Sequence, residues 1–191
     1  MRKIISLLST VTVMATCLFA GVSAAKNNAL CEKFVRVHIL ANSNSHYDQA
    51  MKMAVRDYVF NTYEKEFSKF ETKKDSLKYL EENKEKLTDS INDYLLSNGV
   101  SYTADTKIVT EDFKRKSYGN ITLPGGIYDA VKITLGKGEG RNFFCVMFPP
   151  MCIDEGLSVK VKLKDVLTDE ENKKLTEKVV YKSKILELFN I

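Results

Sequence analysis

Hydrophobic and polar residues alternate from Phe34 to Ala41 in FVRVHILA. Val35, Val37 and Ile39 share one side and Arg36 and His38 the other, the period of a strand with one buried face. NSNSHYD then interrupts the pattern, and Ser45 with Asp48 three residues later is a capping-box signature. Beyond it the period lengthens: Tyr47, Met51, Ala54, Val55, Tyr58, Val59 and Thr62 recur at helical spacing. A second helix is predicted over residues 75–98. Leu77, Leu80, Leu87, Ile91, Tyr94 and Leu95 form its apolar stripe, and Gly99 supplies the stop.

From Val100 the period returns to two, with Val100, Tyr102, Ala104 and Ile108 on one side of a strand. KSYGNITLPGG reads as a loop rich in turn residues, and IYDAVKITL as a strand with Val131, Ile133 and Leu135 on one face. GKGEGRN is a tight connection to the strand FFCVMF. The order strand, helix, helix and three strands predicts an α+β fold, a largely antiparallel sheet with two long helices packed on one face. The last of these strands is apolar on both faces, with Phe144, Val146 and Phe148 on one and Phe143, Cys145 and Met147 on the other. It is either covered twice or presents an apolar face to a partner or membrane, and cover by the C-terminal tail is the simpler reading. Residues 154–191 are read as an extension packed on the domain, with SVKVKLK as a further strand and Thr168 and Glu171 capping a short helix.

The N-terminus changes the picture of where this domain works. Met1-Arg2-Lys3 precedes the apolar run IISLLSTVTVMATCLFAGVSAA. A basic start, an apolar stretch and small residues at Val22, Ser23 and Ala24 make residues 1–24 a secretory signal peptide, cut between Ala24 and Ala25. The competing reading is a retained anchor, since residues 4–25 are long enough to span a bilayer. Ser and Thr residues dilute the run and favour cleavage. Lipidation at Cys17 is disfavoured by Thr16 before it. Loss of Arg2 and Lys3 with the leader lowers the net charge from +4 to +2 (27 basic against 25 acidic side chains). That is no nucleic-acid footprint, and the lysines alternate with glutamates, as in YLEENKEKL, like a solvated helix surface.

Outside the cytoplasm the cysteines acquire a second meaning. Cys31, Cys145 and Cys152 remain after cleavage, an odd count that allows one internal pair. A Cys145–Cys152 disulfide would close a small ring across Pro149-Pro150 and stabilise by about 2.5 kcal/mol before strain. The alternative is two buried free cysteines acting as small hydrophobes. The two histidines of the chain, His38 and His46, form no zinc-ligand spacing with the cysteines. GKGEGRN lacks the G-x4-G-K followed by Ser or Thr of a phosphate loop and connects strand to strand. No cofactor or metal is expected. A cysteine nucleophile, Cys145 or Cys152 paired with His38, is the remaining catalytic option.

VRVHILANSNSHYDQAMKMAVRD (35–57), YGNITLPGGIYDAVKITLGKGEGRNFFCVMFPPMC (118–152) and the helices between them resemble the stage II sporulation protein R family, over Phe34 to Ile153. The distinctive parts are A-N-S-x-S with D-Q following, the V-R-D of residues 55–57, and an aromatic pair before C-V-x-F-P-P-x-C. On this basis residues 31–153 are the sporulation protein R-like domain. The resemblance implies a protein made in the forespore of an endospore-forming bacterium and secreted into the intermembrane space between forespore and mother cell. There it would trigger a membrane-embedded aspartic protease of the mother cell to process pro-sigma-E, as a signal and not an enzyme. It would act close to a membrane and away from nucleic acid. The same resemblance groups Asn42, Asp48, Gln49, Arg56 and Asp57 in one partner-binding motif and Phe143, Phe144, Phe148, Pro149 and Pro150 in another. Two departures stand out. Phe143-Phe144 replaces the usual Trp-Trp, which removes two indole donors, and Gly125 stands where Ala is common. The alternative function is an exported thiol hydrolase. Separate substitutions distinguish the two, because a nucleophile is lost with one cysteine and a disulfide is weakened equally by either.

Mass spectrometry of the exported protein under non-reducing conditions checks both readings. The mature chain should begin at Ala25, Cys145 should be linked to Cys152, and Cys31 should alkylate. An intact Met1 rejects cleavage, and alkylation of all three thiols without reductant rejects the bridge.

Overall fold

The computed structural model describes residues 28–118, 121–149 and 167–176. The signal peptide with its Ala24–Ala25 junction, Pro150, Cys152 and the strand expected at 158–164 lie outside the described residues.

The elements follow in the order β1 (Val35–Leu40), α1 (His46–Phe67), α2 (Lys73–Ser97), β2 (Ala104–Phe113), β3 (Lys116–Tyr118), β4 (Ile121–Leu123), β5 (Gly126–Leu135), β6 (Asn142–Phe148) and α3 (Asp169–Thr176). The fold is α+β as expected. Four strands form one sheet in the order β2-β5-β1-β6. Both outer ladders are antiparallel, and the central β1–β5 ladder is parallel, with Val37 opposite Val131 and Ile39 opposite Ile133. A parallel pair cannot be closed by a hairpin. Here the connection passes through α1, α2, β2, β3 and β4.

The capping chemistry sets the helix limits. Thr72 Oγ1 accepts the Asp75 N–H at 3.2 Å and donates to the Asp75 carboxylate at 2.7 Å, so α2 starts slightly earlier than its apolar stripe. At its other end Gly99 takes φ +72°, and the N–H groups of Gly99 and Val100 return to Leu96 O and Leu95 O. That is a Schellman stop. Asn92 of α2 then binds both backbone groups of Ala104, at 2.6 and 3.4 Å, and β2 begins there instead of at Val100.

The two helices cover one face of the sheet. Val35, Val37, Ile39, Val131, Ile133, Leu135, Cys145 and Met147 meet Met51, Val55, Val59, Leu87, Ile91 and Leu95 in one core. On the opposite face Phe34, Phe113, Tyr128, Ala130 and Val146 are covered by Leu30, Cys31, Leu123, Leu167 and Leu175. The second apolar face of β6 is therefore packed, and residues at the start and end of the α3 region contribute to the cover. Thr168 and Glu171 form a reciprocal cap on α3, with bonds of 2.8 to 3.3 Å.

Two expectations need correction. Residues 116–118 and 121–123 are paired strands and not loop, with Lys116 opposite Leu123 and Tyr118 opposite Ile121. Three-residue strands are too short to show a period among so many turn residues. The alternation of β6 also breaks near its end. Val35 pairs with Phe148 but Arg36 pairs with Val146, so Met147 is the extra residue of a bulge. Phe148 is thereby moved into the helix-side core, away from Phe144 and Val146.

Ile133 is 0% exposed in the centre of the sheet, whereas Ile127 of the same strand is 57% exposed. Ile133→Ala should cost about 2–5 kcal/mol in urea unfolding, and Ile127→Ala should stay within about 0.5 kcal/mol of wild type.

Candidate functional site

The loop from Ala41 to Ser45 is organised around one carboxylate. Asp48 is 6% exposed, and it accepts hydrogen bonds from Asn42 Nδ2 at 3.0 Å, Ser43 Oγ at 2.5 Å and Tyr102 OH at 2.9 Å. Ser45 Oγ accepts the Asp48 N–H at 3.1 Å, which is half of the expected capping box. The other half is absent because the carboxylate turns inward, and Ser43 Oγ accepts the Ser45 N–H instead. The hydrogen bond from Ser43, helped by those from Asn42, Tyr102 and Ser45, holds the Asp48 carboxyl below its ordinary pKa despite burial.

This loop is clamped to the β5–β6 connection, almost a hundred residues away in sequence. Lys137 N donates to Asn42 Oδ1 at 3.0 Å, Gly140 N to Ala41 O at 2.9 Å, and Arg141 N to Asn44 Oδ1 at 2.9 Å. Gly140 makes the approach possible, since a Cβ there would lie 2.2 Å from Ser43 O.

Along the adjoining face of α1, Gln49 Nε2 donates to Ser43 O at 2.8 Å, and Lys52 Nζ donates to Gln49 Oε1 at 2.7 Å and Arg141 O at 2.9 Å. One turn further on, the Arg56 guanidinium lies 5.3 Å from the centre of the Phe143 ring and donates to Asp57 at 2.6 Å. The two sequence motifs thus meet at one corner. Gln49, Arg56 and Asp57 come from the first, and Phe143 from the second. The other predicted residues are placed differently. Asp48 and Phe148 are buried and face their own chain. Pro149 is buried after a cis Phe148–Pro149 bond. Phe144 projects from the opposite face, 4.6 Å from the His38 ring.

That opposite face carries polar groups whose roles the sequence did not reveal. Arg36 is fully buried. Its Nε donates to Cys145 O at 3.0 Å and its Nη2 to Tyr118 OH at 2.6 Å, with the Phe113, Tyr128 and Tyr118 rings 4.7, 5.1 and 5.5 Å away. His38 Nδ1 lies 2.9 Å from Glu111, which also binds Lys132. Burial raises the Glu111 pKa, but Lys132 and His38 outweigh it and the net shift is downward. The Cys145 side chain joins the helix-side core, whereas His38 faces the other way. The structure therefore does not bring these two together as a nucleophile and base. Cys31 is a free, buried thiol whose pKa is pushed up by burial.

A family model described as "Stage II sporulation protein R (spore_II_R)" matches residues 31–158. The chain is also similar to "Stage II sporulation protein R" of Bacillus subtilis (strain 168), at 32% identity over 152 residues. That match covers 78% of this chain and 66% of the relative, just under two thirds of its length. No solved structure matches the chain.

Asp48→Asn should reduce stability by about 2 kcal/mol at pH 7. The Asp48 pKa is depressed by folding, so its contribution is complete above the unfolded carboxyl value of about 3.9. It is lost as pH falls through the folded value. Thermal unfolding across acidic pH should show the gap between wild type and variant closing in that window. A gap independent of pH means that the carboxylate charge does not hold the loop.

Proposed function

This chain belongs to the stage II sporulation protein R family, and on that premise we propose that it is a secreted sporulation signal made in the forespore. It crosses into the space between forespore and mother cell, contacts the membrane-embedded aspartic protease of the mother cell, and triggers processing of pro-sigma-E. Family membership is the observation that carries this reading. The name of the relative from Bacillus subtilis supports a part in sporulation. The leader-like residues 1–24 support export, and the Cys145–Cys152 bridge belongs to the same proposal. The protein acts by contact, and catalysis belongs to the protease.

The corner where Arg56, Asp57 and Phe143 meet is the proposed contact surface. Its polar residues stand midway along α1 (His46–Phe67), whose first turn is held by the clamped loop, so their positions are preset before a partner arrives. Deletion of the gene should leave pro-sigma-E unprocessed, and the wild-type gene should restore processing. Arg56→Ala should leave the protein exported and folded by circular dichroism, since a partly buried cation–π contact contributes about 1–2 kcal/mol, less than the stability of a folded domain. Processing should fall several-fold. Normal processing at native expression would remove Arg56 from the contact surface, and loss of the folded spectrum would assign it to the fold.

A further inference from the structure

Lys52 carries a positive charge that the described residues do not offset. It is 5% exposed, and its two hydrogen bonds go to neutral oxygens, Gln49 Oε1 and Arg141 O. The neighbouring charge that acts on it is another cation. Burial first, and then the Arg141 guanidinium, push the Lys52 ammonium pKa down. Asp48 lies one helical turn away, but its oxygens are turned to Asn42, Ser43 and Tyr102. The part-buried lysines elsewhere are treated differently: Lys33 pairs with Glu171, Lys73 with Asp129 and Lys132 with Glu111. Among the described residues neither Lys52 nor the Arg141 side chain has such a carboxylate. A buried charge without a counter-charge is costly, and a partner that supplies one recovers that cost on binding.

The surroundings define what would fit. Arg141 directly precedes β6, two residues before Phe143, and Lys52 and Arg56 are one turn apart on α1. The Arg56 guanidinium lies over the Phe143 ring and is bonded to Asp57, and Arg141 is close enough to Lys52 for the two charges to act on each other. Resting on the partner-binding reading above, we propose that Lys52, Arg141 and Arg56 form a docking site for a carboxylate side chain in an acidic segment of the partner protein. The planar guanidinium of Arg141 can bind a carboxylate with two parallel bonds, and Lys52 contributes a point charge behind it. The Phe143 ring gives the segment an apolar floor.

Arg141 is the residue to test, because its structural bonds are made by its backbone N–H and C=O and survive replacement of its side chain. A fluorescein-labelled hexaglutamate peptide should bind the exported full chain, and a hexaglutamine peptide should not. Arg141→Glu should weaken that binding at least tenfold and Arg141→Gln less, both with an unchanged circular dichroism spectrum. Lys52→Met should lose binding while keeping or raising the Tm, since it removes an uncompensated charge. A fall in Tm with unchanged peptide binding would assign Lys52 to structure alone and overturn the proposal. Equal binding of both peptides, or of neither, also overturns it. So does stronger Arg141-dependent binding to phosphatidylglycerol vesicles than to hexaglutamate, which would make this a lipid site. If hexaglutamate binds through Arg141 but the wild-type chain fails to restore pro-sigma-E processing, the carboxylate site stands and the sporulation-signal reading fails.

Discussion

Everything at the candidate site depends on the hydrogen bonds that tie residues 41–45 to the β5–β6 connection. They join stretches of chain almost a hundred residues apart, and Asp48 is their internal anchor. Without them α1 would have no fixed starting point over β6, and the Arg56–Phe143 contact would have no fixed geometry. Most of the clamp is made by backbone groups and short side chains, which have little freedom to lose. Gly140 matters for the same reason, because any side chain there would separate the two loops.

Among the described residues, Arg36 and Lys52 are cations buried in two different ways. Arg36 sits in the second core, with a carbonyl, a phenol and three aromatic rings around its guanidinium. A delocalised, weakly hydrated cation suits such a setting. Lys52 has a compact ammonium and only two neutral oxygens, with Arg141 nearby. The first arrangement serves cohesion between β1, β6 and the β3–β4 hairpin. The second leaves charge available to another molecule. The aromatic pair at 143–144 divides along the same line. Phe143 underlies Arg56 on the helix side, and Phe144 packs at a tilt against His38 on the other. Adjacent residues on a strand point to opposite faces, so the two rings cannot share one task.

What the sequence alone determined was the local structure. The period-two run at 34–41, the helical stripes with their Ser45 and Thr168 caps, and the Gly99 stop all depend on neighbours within a few residues, and they recur in the structure. The motifs also placed the chain in its family. The tertiary structure decided the parallel pairing of β1 with β5, the bulge that moves Phe148 to the helix side, and the short β3–β4 hairpin. Each depends on a partner strand whose register a single stretch of sequence does not encode. The same holds at the site. In the sequence Asp48 looks like an exposed cap and Lys52 like an ordinary helix-surface lysine. Only packing against Tyr102 and the backbone of residue 141 buries them, because burial is set by what arrives from elsewhere in the chain.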